Sequence, residues 1–80
     1  MKTRLDILQL DHDSALTQKI ENEINLRDLT NKSFIIKPGE EYNKVVQAIE
    51  QKKKLGSALD DVLKIIEEMM KEENENIQSH

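Results

Sequence analysis

Apolar residues concentrate between Lys32 and Met70, where their spacing changes from continuous to helical and turn residues interrupt them twice. Phe34, Ile35 and Ile36 lie together in Ser33–Lys37, a segment of β-prone composition and too short for a helix. Pro38 favours extended conformations at Lys37, and Pro38-Gly39 suits the central positions of a type II turn. The pattern predicts a strand that ends there. Tyr42, Val45, Val46 and Ile49 then recur at i, i+3, i+4 and i+7, which predicts a helix. It opens on Glu40 and Glu41, closes on Lys52, Lys53 and Lys54, and stops at Gly56. Ser57 reads as the cap of a second helix, with Asp60 three residues on as the capping-box acid. Leu59, Val62, Leu63, Ile66, Met69 and Met70 form its apolar stripe, which covers about two heptads and falls short of a coiled coil.

The N-terminal third is less regular. Thr3–Leu10 alternates imperfectly, with Leu5 and Ile7 on one strand face and Leu8 and Leu10 on the other, and a strand is the preferred reading. Asp11, Asp13 and Ser14 are candidate N-caps for a helix of about three turns with Leu16, Ile20 and Ile24 as its narrow stripe. Asn25 to Asn31 reads as a polar connection, and periodicity is lost beyond Met70. The expected organisation is an N-terminal segment (1–31), a core (32–72) and a frayed acidic tail (73–80).

Composition narrows the classes. Eighty residues with 36% hydrophobic content, one Phe, one Tyr and no Trp can build only a thin core. No cysteine is present to add a disulfide or a thiolate metal site, so oligomerisation is the expected remedy and a homodimer the expected state. No apolar run approaches the roughly 18 residues of a membrane span, no signal-peptide h-region follows the first residues, and a cytoplasmic location is expected. The net charge of -4 is unevenly spread. Residues 32–54 carry six basic and three acidic side chains, whereas residues 55–80 carry two and seven.

Candidate chemistry is sparse. Asp11-His12-Asp13 contains metal-ligating types, but adjacent residues do not converge on one ion and no second internal histidine completes a set, so no metal and no cofactor are expected. Nothing resembles a nucleophile elbow, and two glycines cannot make a phosphate-binding loop. Catalysis is not expected.

The succession strand, turn, helix, glycine-marked turn, helix across residues 32–72 resembles the ribbon-helix-helix repressors of the MetJ/Arc type. It is also similar to the DNA-binding half of many plasmid and phage antitoxins. In that family two chains pair their strands into a ribbon that enters the major groove. The resemblance implies a mainly α chain with short β structure: a β-α-α ribbon-helix-helix-like dimer preceded by an N-terminal β-α segment. It implies that Ser33, Ile35 and Lys37 face the bases, and that backbone amides around Ser57 anchor a phosphate. The implied dimer core is Phe34, Ile36, Leu59, Val62, Leu63 and Ile66.

Two functions follow as expectations. One is a dimeric DNA-binding transcriptional regulator of the antitoxin kind. The other is a small acidic, non-enzymatic interaction protein, an inhibitor or adaptor that binds a basic protein surface.

Overall fold

Thr3 accepts a hydrogen bond from the Asp6 amide on its hydroxyl, while its own amide donates to the Asp6 carboxylate, both at 3.2 Å. This reciprocal capping box satisfies two amides that a helix start would leave unpaired. It opens α1 (Arg4–Ser33), thirty residues long. After a short turn comes α2 (Glu40–Gln78), thirty-nine residues long. The computed structural model describes residues 2–78, and among them the two helices are the only regular elements.

The helices fold back on each other as an antiparallel hairpin measuring 63 × 19 × 14 Å, two helices wide and one deep. Their facing positions follow one rule. On α1 the facing row is Leu5, Leu8, His12, Ala15, Lys19, Asn22, Leu26, Leu29 and Ser33, with Thr30 half-buried beside it. On α2 the facing row is Tyr42, Val45, Ile49, Lys52, Gly56, Leu59, Leu63, Ile66, Met70 and Glu73, with Val46, Ala48 and Met69 half-buried beside it. Both sets alternate steps of three and four, an average period of 3.5, which keeps the same stripe of each helix turned to its neighbour. The buried apolar core is small: Leu8, Ala15, Val45, Leu59 and Leu63.

This architecture corrects several expectations. The ribbon-helix-helix fold is not formed, because its strand is missing. Ser33 ends α1, its hydroxyl donating to the Thr30 carbonyl at 2.6 Å. The amides of Phe34, Ile35 and Ile36 then turn back onto the carbonyls of Asn31 and Lys32. Backbone groups spent on closing a helix cannot form a ribbon ladder. Thr3–Leu10 is likewise helix and not strand, and α1 runs through both the supposed connection at 25–31 and the expected boundary at 31/32.

The start of α2 agrees with the pattern, with Gly39 accepting the first helical hydrogen bond from Asn43 at 3.0 Å. The stop at Gly56 does not. A C-terminal glycine ends a helix by taking a positive φ, and Gly39 is the only positive-φ glycine recorded. Gly56 stays helical inside the interface, so there is no helix N-terminus at Ser57 to present free amides. The expected frayed tail is helical as far as Gln78, and residues 79–80 lie outside the described residues.

Candidate interaction surfaces

Polar groups punctuate the interface and fix its register. Lys19 forms an ion pair with Asp60 across the hairpin. That carboxylate, first by hydrogen bonding and then by its charge, holds the Lys19 ammonium above the usual lysine value. One α1 heptad earlier, His12 Nε2 lies 3.2 Å from Glu67 Oε1. Arg4 and Glu73 (3.6 Å) close the open end, and Lys32 and Glu41 (3.8 Å) approach each other beside the loop. Between these pairs, Asn22 donates from Nδ2 to the Lys52 carbonyl at 2.8 Å. Its Oδ1 is buried without a partner.

The outer surface holds about as many large apolar side chains as the helix-helix interface. Among the described residues ten are exposed: Ile7, Leu10, Leu16, Ile20, Ile24, Phe34, Ile35, Leu55, Val62 and Ile65. Leu16, Ile20 and Ile24, four apart, make one row on α1. On α2, Leu55, Val62 and Ile65 belong to a second row with Ala58 and Met69. Phe34 (82% exposed) and Ile35 (83%) stand at the hairpin tip.

Charge follows the long axis. The open end, built from residues 1–13 and 60–75, carries four basic and ten acidic side chains. The loop-side remainder through residue 59 carries eight and six. The antiparallel fold lays Asp6, Asp11 and Asp13 alongside the acidic half of α2, so carboxylates from both helices meet at this end.

The residues implied by the family resemblance are scattered. Ser33 is engaged in closing α1, Ile35 and Lys37 are exposed in the loop, and Ser57 is exposed in the middle of α2. Phe34 is exposed rather than core, and Ile36 is half-buried. Leu59, Leu63 and Ile66 pack in the intrachain interface and Val62 points away from it, so the expected dimer seam is split between two faces. The narrow stripe expected at Leu16, Ile20 and Ile24 is an outward row.

His12, Lys19, Asn22, Lys52 and Gly56 were missed as interface residues because they are polar or lack a side chain. A 3-4-3-4 spacing continued through them would have found them. Of the Asp11-His12-Asp13 triplet, the carboxylates are exposed and the imidazole meets Glu67. No three His, Cys, Asp or Glu among the described residues are placed to hold a metal ion. No described helix is long and apolar enough to cross a membrane.

No protein-family model matches the chain, and no curated protein or solved structure shows significant similarity to it.

Proposed function

We propose that the chain is a small non-enzymatic interaction protein of the cytoplasm, an inhibitor or adaptor whose acidic open end engages a basic protein surface. The observation that carries this reading is the extent of its exposed apolar surface. Among the described residues ten large hydrophobic side chains are exposed, about as many as the helix-helix interface covers. Exposed apolar rows of this extent mark protein contacts, and the carboxylates around them at the open end select a partner of opposite charge. The α1 row of Leu16, Ile20 and Ile24 begins where the acidic end stops, so one basic amphipathic surface can meet both. DNA regulation has less support, because its direct readout depended on a ribbon that the chain does not form.

The test is capture of partners by the wild type and by an Asp11→Lys/Asp13→Lys/Asp61→Lys variant, paired with a titration of duplex DNA. All three side chains are exposed, so the variant should keep its helicity. The expected result is a basic protein retained by the wild type, released by added salt and lost from the variant. Sequence-selective, salt-sensitive DNA binding by the wild type would reverse the preference.

A further inference from the structure

The second apolar row of α2 has the spacing of an interface. Leu55, Ala58, Val62, Ile65 and Met69 are separated by three, four, three and four residues, the same alternation that faces α1. With α1 packed on the first row, Leu55 remains 45% exposed, Val62 43% and Ile65 57%. Successive positions at a period of 3.5 are turned by about 103°, so this row is rotated roughly a quarter turn from the first. The two rows give α2 two adjoining contact faces, and the fold occupies one of them.

We infer that the second row packs antiparallel against the same row of a second copy, about a two-fold axis near Val62, making a four-helix bundle. Three observations select this occupant. The first is area. The chain exposes 6459 Å², whereas a compact monomer of its 9.3 kDa mass exposes roughly 5,000 Å². The excess of about 1,500 Å² exceeds the ~800 Å² per partner of a standard interface.

The second is the row's own symmetry. Val62 is its midpoint, so an antiparallel copy places Leu55 near Met69 and the small Ala58 near the large Ile65 or Met69. Small against large is the arrangement that fills a helix-helix interface without voids. The third is charge. Lys54 immediately precedes the row on its flank, and Glu68, Glu72 and Glu75 lie at its other end. Antiparallel packing brings the lysine of each copy alongside the carboxylates of the other, whereas parallel packing sets like beside like. The two-fold contact is also isologous and closes on itself, so it makes a dimer and not a filament. It leaves the α1 row of Leu16, Ile20 and Ile24 uncovered, and does not depend on the partner proposed above.

Sedimentation equilibrium at micromolar concentration tests the assembly, and cysteine cross-linking in this cysteine-free chain tests its direction. The wild type should have twice the chain mass. Val62→Glu/Ile65→Glu should have the single-chain mass, while Ile20→Glu/Ile24→Glu should remain a dimer. Since a separated hairpin can lose helicity, Val62→Cys provides an independent check and should oxidise to a covalent dimer that retains wild-type helicity. A mixture of Lys54→Cys and Glu72→Cys chains should cross-link to each other in preference to Lys54→Cys with itself. A wild-type monomer, a dimer that survives Val62→Glu/Ile65→Glu, or preferential Lys54→Cys self-linking would each overturn the proposal.

Discussion

Asn22 and Gly56 are complementary across the hairpin. Asn22, 4% exposed, reaches the Lys52 carbonyl with its Nδ2, and the α-helical ladder pairs that same carbonyl with the amide of Gly56. A Cβ added at Gly56 would lie 3.2 Å from the Asn22 Nδ2. The missing side chain is what lets the amide approach the backbone. Alanine is normally favoured over glycine in a helix by about 1 kcal/mol, but here the gain is opposed by the crowding of a held side chain. Gly56→Ala alone should therefore stabilise little or not at all, while in an Asn22→Ala background it should recover the full ~1 kcal/mol. A double-mutant cycle by chemical denaturation measures this, and additive effects would show that the two residues are independent.

The Lys19–Asp60 pair predicts an alkaline limit. Because the folded state raises the Lys19 pKa above 10.5, the pair's contribution is complete below the unfolded value and is lost as pH rises through the folded one. Lys19→Gln should remove that component. The stability difference between wild type and variant should be constant near neutrality and shrink above pH 10.5. A difference unchanged between neutral pH and the alkaline limit would show that the pair has no ionic role.

The tip and the core should respond oppositely. Phe34→Ser and Ile35→Ser alter side chains more than four-fifths exposed, and each should change stability by less than ~0.5 kcal/mol. A buried Phe34, as the ribbon reading requires, would instead cost ~3 kcal/mol or more. Thermal melts distinguish these outcomes directly.

Leu8→Ala and Leu63→Ala remove two of the five buried hydrophobic residues. Each should cost ~2–3 kcal/mol, a large share of the stability available to a domain of this size. Circular dichroism should show substantial loss of helix, and an unchanged melting temperature for both would contradict the interface described.

Truncation after Glu72 removes the Glu73 partner of Arg4 and the end of α2 from Glu73 to Gln78. Arg4 is mostly exposed, so the pair is worth ~0.5 kcal/mol. The melting temperature should fall by about 2–4 °C. A collapse of the truncated chain would show that this end of α2 supports the whole hairpin.

Local chemistry by itself determined the second helix's start and its first apolar face. Pro38 and Gly39 exclude a helix through the loop, Glu40 and Glu41 suit a helix start, and Tyr42, Val45 and Ile49 repeat at helical spacing. These signals act within one or two turns, and the structure keeps them. The Thr3–Asp6 capping box was equally local and readable, but alternating Leu and Ile residues beside it imitated a strand.

Only the tertiary pairing decided which apolar row is buried. Leu16, Ile20 and Ile24 make the better hydrophobic stripe on α1, yet they face outward. The interface positions include the half-buried His12 and Lys19 and the buried Asn22, which pattern reading assigns to solvent. Their burial becomes acceptable because α2 supplies Glu67, Asp60 and the Lys52 carbonyl opposite them. The same pairing turned Gly56 from a stop into a point of close approach, and so made one helix where the sequence suggested two. A polar residue's partner can lie thirty or more positions away, and until the chain folds back no local pattern contains it.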